Sequence, residues 1–116
     1  MELTLYGIPN CDTVKKARTW LEANGIDYTF HDFKKAGLSE DLVKWWLKDV
    51  DWEVLVNRKS TTWRGLDEAR KASIVDAKSA ATLMLEMPSI IKRPVLSHKG
   101  THVGFTPELY QQIFKK

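Results

Sequence analysis

Cys11 is the only cysteine among 116 residues, and its neighbours give it a setting in which a thiol can react. Leu3-Thr-Leu-Tyr-Gly-Ile8 reads as a buried strand, and Pro9-Asn10 breaks it. A helical pattern starts directly after Cys11, runs to Asn24 and is closed by Gly25. A side chain at the first turn of a helix faces unpaired backbone N–H groups and the positive end of the helix dipole. Both favour the thiolate, the nucleophilic form of cysteine. A lone cysteine is also often no more than a small buried hydrophobe. The strand–helix junction favours the reactive reading here, as do Lys15 one turn further on and the Thr13 hydroxyl. Asp12 opposes it, because a carboxylate disfavours a second negative charge nearby.

An ordinary thiol, with a pKa of about 8.5, is only a few per cent ionised at neutral pH. Half ionisation requires about 2 kcal/mol of added stabilisation, whereas a helix N-terminus supplies roughly 0.3 to 1 kcal/mol. One or two cations must therefore converge on the sulfur, and Arg58 and Arg93, distant in sequence, are the candidates. Thr13 and Lys15 are candidates to line a substrate site, and Asn10 stands where its side chain could cap the helix. Val14 occupies the place of a second cysteine in a C-x-x-C motif. With no internal partner, a thiol that attacks a disulfide needs an outside thiol to complete the cycle. Glutathione is the abundant cytosolic choice, and its carboxylates suit a basic groove. It is expected as a cosubstrate, with no permanently bound cofactor.

The elements that must position these residues follow from pattern. After the first helix, Asp27-Tyr-Thr-Phe-His-Asp32 alternates and reads as a second strand, parallel to the first through a right-handed crossover. Ala36-Gly-Leu-Ser39 reads as a loop that ends in an N-cap serine. The next helix carries Leu42, Val43, Trp46 and Leu47 as its apolar stripe. Short helices are expected over Trp52–Val56 and Leu66 to about Lys71, then a longer one over Asp76–Met87 with Ala77, Ala80, Ala81, Leu83, Met84 and Met87 inward. Trp45, Trp46, Trp52 and Trp63 are expected to pack helices together. Val95–Ser97 and Thr101–Gly104 form a hairpin signal around His98-Lys-Gly100, and Thr106-Pro107 opens a last helix. The expected architecture is α/β: a thioredoxin-like plan, β-α-β then β-β-α, in a single domain over 1–116 with a helical insertion at about 39–88.

Composition narrows the class. The chain is 43% hydrophobic and 28% charged, with a net charge of +3 scattered in small clusters such as Lys34-Lys35, Lys92-Arg93 and Lys115-Lys116. No long basic run marks a nucleic-acid partner, and no apolar stretch is long enough to span a bilayer. Met1-Glu-Leu-Thr-Leu has neither a basic nor an apolar leader pattern, so no secretory signal is expected and the cytoplasm is the expected compartment. His31, His98 and His102 lack metal-ligand spacing with Cys11, and no metal is expected.

Leu5-Tyr-Gly-Ile-Pro-Asn-Cys-Asp-Thr-Val-Lys-Lys-Ala-Arg18, the stretch Asn57-Arg-Lys-Ser60 and Ile91-Lys-Arg-Pro-Val95 together resemble the arsenate reductase (ArsC/Spx-like) family of thioredoxin-like proteins, and within it the YffB-type subgroup. The resemblance keeps the motif order over nearly the whole chain. It implies that Cys11 is the nucleophile, that Arg58 binds an anion, and that Arg93 binds the oxyanion and stabilises the thiolate. It also implies that Pro94 is cis beside the active-site loop, with exposed backbone that can pair with an extended thiol peptide such as glutathione. The implied function is a glutathione-dependent thiol reductase, with glutaredoxin as a possible recycling partner. Two alternatives are carried: an Spx-like regulator that binds RNA polymerase, and an arsenate reductase proper. The family's arsenate reductases have a third arginine where this chain has Phe105, so one charge fewer is expected at the oxyanion site.

Overall fold

Leu5, in the middle of a four-residue strand, β1 (Thr4–Gly7), is fully buried and anchors a four-stranded sheet. The computed structural model that shows it describes residues 3–115. Lys116 of the C-terminal basic pair, and Met1-Glu2 at the start, lie outside the described residues. Helix α1 (Asp12–Ala23) buries Val14, Ala17 and Leu21, the stripe that helical spacing predicts. It ends in a Schellman motif. The N–H of Ile26 donates to the Leu21 carbonyl and that of Gly25 to the Glu22 carbonyl, and Gly25 takes φ +68° without steric penalty. Strand β2 (Thr29–Asp32) then runs parallel to β1, with Leu5 opposite Phe30. The strand begins two residues later than the alternation suggested. The Tyr28 hydroxyl accepts from Arg18 Nε at 3.0 Å and donates to Glu22 at 2.7 Å, contacts that tie Tyr28 to α1.

A one-turn helix, α2 (Phe33–Ala36), follows directly, where the sequence suggested no helix; it buries Phe33. The chain returns to the sheet as a hairpin, β3 (Val95–Ser97) and β4 (Thr101–Val103), with β3 antiparallel to both β1 and β4. The strand order is β2-β1-β3-β4. The closing helix α8 (Pro107–Phe114) begins as expected, with the Thr106 hydroxyl accepting from Leu109 N–H at 3.0 Å and proline in the first turn. Trp20 of α1 meets Tyr110 of α8 edge-to-face at 5.6 Å and lies 5.8 Å from Phe114. Tyr110 is fully buried, and burial pushes its hydroxyl pKa far up. Together this is the thioredoxin-like plan, β-α-β followed by β-β-α.

The chain divides into two compact units: residues 1–36 with 93–116, and Gly37–Lys92. The second is helical: α3 (Glu40–Asp49), α4 (Trp52–Leu55), α5 (Thr61–Arg64), α6 (Glu68–Ser73) and α7 (Ala77–Glu86). A 3₁₀ turn, Pro88–Ile90, follows them. Each of the five helices has a side-chain N-cap, from Ser39, Asp51, Ser60, Asp67 and Asp76 in turn. At α7 the cap is a reciprocal box, with Asp76 accepting from Ser79 N–H and the Ser79 hydroxyl accepting from Asp76 N–H. The core of this unit includes Val43, Trp46, Leu55, Leu83, Met84 and Ile90. Three expectations fail here. The helix suggested over Leu66–Lys71 is Glu68–Ser73, because Asp67 is its cap; α5 was unsignalled; and Ala77, at the first turn of α7, is exposed.

Gly7 has no room for a side chain. A Cβ built there would lie 2.7 Å from Val14 Cγ2 of α1. Val14 is fully buried and β-branched, so it has little freedom to move aside. Gly7→Ala is therefore expected to destabilise the fold by about 1–3 kcal/mol in urea unfolding. Adding Val14→Ala should give a double variant that loses less than the two single losses combined. Full additivity would show that the contact is not what restricts position 7.

Candidate active site

Cys11 is the N-cap residue of α1, with extended backbone angles (φ −96°, ψ 125°). Its carbonyl accepts from Lys15 N–H at 2.9 Å and its own N–H donates to the Ile8 carbonyl at 3.4 Å, which closes the Pro9-Asn10 turn. The thiol is a free cysteine, half-buried, and makes no capping hydrogen bond. Asn10 does not cap the helix: it is exposed in the turn one residue ahead, because the chain enters the helix at Cys11. Thr13 is half-buried in the first turn and Lys15 is exposed.

Sheet register carries the second half of the site to the same end of β1. Tyr6 pairs with Val95 and Leu5 with Leu96. β3 therefore begins at the end of β1 that leads through Ile8 into the Cys11 turn, and Arg93 and Pro94 directly precede it. Pro94 is buried, and the Arg93–Pro94 peptide bond is cis. The Pro94 carbonyl accepts from Gly104 N–H at 2.8 Å, so β4 holds this corner from its other side. Arg93 is half-buried. Cys11, Arg93 and Pro94 thus share one end of one sheet.

Arg58 belongs to the helical unit. It sits in the turn between α4 and α5. Asn57 shapes that turn: its Oδ1 accepts from Lys59 N–H and its carbonyl from Ser60 N–H, while Asn57 N–H donates to the Ile90 carbonyl. The Arg58 guanidinium lies 5.3 Å from the Trp52 ring centre and 5.8 Å from that of Trp63, and Nη2 meets Glu53 Oε2 at 3.3 Å. Trp52 and Trp63, expected to pack helices, are half-buried and both bring their rings near this arginine. Of the tryptophan pair on α3, Trp46 is buried and Trp45 is exposed, with Lys48 Nζ 5.8 Å from its ring. No periodicity could have signalled the two rings around Arg58, since they come from separate single-turn helices.

Phe105 packs edge-on against Tyr110 at 4.6 Å, at the margin of the sheet-unit core. An apolar contact stands where the resemblance implies a cation. His31 lies against the Tyr6 ring, while His98 stacks on Phe114 and its carbonyl meets His102 Nε2.

A hydroxyl at an N-cap accepts from the N–H groups of the first turn, which the Cys11 thiol does not do here. Cys11→Ser should stabilise the protein by about 0.5–1 kcal/mol in thermal or urea unfolding. Unchanged or reduced stability would show that the side chain at this junction points away from the helix end.

The ArsC family model matches residues 6–113. An uncharacterised protein of Haemophilus influenzae is 42% identical over 113 residues, 97% of this chain and 98% of its own. A solved YffB protein superposes with a TM-score of 0.90 at 46% identity, over 96% of this chain and 97% of that one. An arsenate reductase (ArsC) related protein from Brucella melitensis is 54% identical with a TM-score of 0.78, over 100% and 97% of the two chains. The global transcriptional regulator Spx 1 of Oceanobacillus iheyensis is more distant, 28% identical over 91% of this chain and 82% of its own length.

Proposed function

This chain belongs to the ArsC family, and on that premise we propose that it is a glutathione-linked thiol reductase with Cys11 as its nucleophile. The observation that carries the reading is the half-buried Cys11 thiol at the N-terminus of α1, on the sheet end shared with Arg93 and Pro94. Cys11 Sγ attacks one sulfur of a disulfide. That S–S bond breaks, a mixed disulfide forms on Cys11, and the other sulfur leaves as a thiolate. Glutathione, or a glutaredoxin thiol, then attacks the mixed disulfide and releases Cys11 as the thiolate. Val14 rules out resolution within a C-x-x-C pair.

Arg93 stabilises negative charge on the sulfur and on the departing thiolate. Arg58, in the helical unit, binds an anionic group, and the edge beside Pro94 offers backbone to an extended thiol peptide. Asn10, Thr13 and Lys15, in the turn and first helical residues around Cys11, line the approach. A cytosolic setting, where glutathione is abundant, goes with this reading. Arsenate suits the site less well, because Phe105 is committed to Tyr110.

Intact mass spectrometry with oxidised glutathione at neutral pH should find one glutathione on Cys11, formed faster than on the urea-unfolded chain. Cys11→Ser should remove the adduct, and Arg93→Ala should slow it about tenfold or more. An adduct that forms no faster on the folded protein overturns the reductase reading.

The similarity to Spx 1 supports a second reading, a regulator that docks on RNA polymerase. Purified polymerase should then bind the chain equally well with Cys11 or with Cys11→Ser. Absence of binding by both removes this reading.

A further inference from the structure

Arg58 is built into its turn with more structure than an exposed arginine needs. Two helices of four residues each, α4 and α5, are capped by Asp51 and Ser60, and they bring Trp52 and Trp63 to within 6 Å of one guanidinium. An aromatic face attracts the cation and favours a fixed plane for it. A guanidinium stacked in this way keeps its N–H edge for acceptors. Among the described residues the acceptor in contact is Glu53, through Nη2 alone at 3.3 Å, and both side chains are about half exposed, at 50% and 56%. Exposed pairs of this kind are weak and easily exchanged. A carboxylate or oxyanion able to take two guanidinium N–H groups at once would make the stronger contact.

We propose that Trp52 and Trp63 are positioning residues that hold the Arg58 guanidinium edge-out for a carboxylate or oxyanion ligand, and that Glu53 is the resident carboxylate this ligand displaces. The proposal rests on the reading of Arg58 as an anion-binding residue. It adds the parts that set how tightly Arg58 binds, and it assigns Glu53 a competing role. Removing an aromatic wall should weaken the ligand, whereas removing the Glu53 charge should strengthen it. A purely structural role for these residues would not produce effects of opposite sign.

Binding is read in the Cys11→Ser protein, so that no covalent step follows, by indole fluorescence during titration with oxidised glutathione and, separately, with arsenate. Trp52 remains a reporter when Trp63 is changed. Trp63→Leu should raise the half-saturating concentration about threefold or more, and Trp63→Phe should restore it to near the parent value. Glu53→Gln should lower it about two- to threefold. The proposal is overturned if Trp63→Leu leaves the value unchanged, if Trp63→Phe fails to restore it, if Glu53→Gln raises it or leaves it unchanged, or if neither probe binds. Should Trp63→Leu fail to fold, Glu53→Gln decides alone, since it keeps the size of a half-exposed side chain and removes only its charge. Binding of arsenate without glutathione keeps the arginine clamp and removes glutathione as its ligand. Adduct formation on Cys11 is measured independently, so the thiol chemistry can fail while these titrations still give a result.

Discussion

The close approach of α1 to β1 governs what the sheet unit can present. Gly7 has no side chain, and Val14 fills the space where one would be. That contact presses the first turn of the helix onto the end of the strand. Cys11 lies one turn before Val14 and has no freedom to retreat, because its carbonyl is already committed to Lys15 N–H. The same end of β1 pairs, through Tyr6 and Val95, with the strand that carries Arg93 and Pro94 at its start. The placement of Cys11 at the helix entry thus follows from a packing constraint two residues of ordinary type impose on each other, and not from any feature of the cysteine itself.

Much of this was legible in residue order. Strand-breaking Pro9-Asn10, the helical spacing of Val14, Ala17 and Leu21, and the pair Thr106-Pro107 each announce a boundary through local chemistry, and the structure keeps them. The elements that escaped notice are one turn long. A helix of four residues, such as Phe33–Ala36 or Thr61–Arg64, is too short for a period to register, and it persists through its cap and its neighbours. Asn10 misled for a related reason. Asparagine is a strong cap by type, yet Ile8 and Lys15 hydrogen bonds settle the helix entry one residue later.

The surroundings of Arg58 were illegible on different grounds. Its identity suggested an anion, but the rings of Trp52 and Trp63 reach it from two turns whose geometry depends on Asn57 and on a bond to Ile90. Such an arrangement depends on pairing across some thirty residues, between 55–57 and 90–92, including the Val56–Ile91 bridge. Phe105 presents the converse case. Its departure from the family pattern was visible in sequence, while the reason, an edge-on contact with the buried Tyr110, needed coordinates.

The sheet draws β1 and β2 from the start of the chain and β3 and β4 from near its end, with Gly37–Lys92 made between them. On the ribosome, the first strand waits for its antiparallel neighbour until the whole of Gly37–Lys92 has emerged. The helices of the intervening stretch, each with its own side-chain cap, can organise while translation continues at roughly 5–20 residues per second. The end of the sheet that leads to Cys11 therefore assembles only after that stretch is made, and a nascent chain released before then carries the thiol without Arg93.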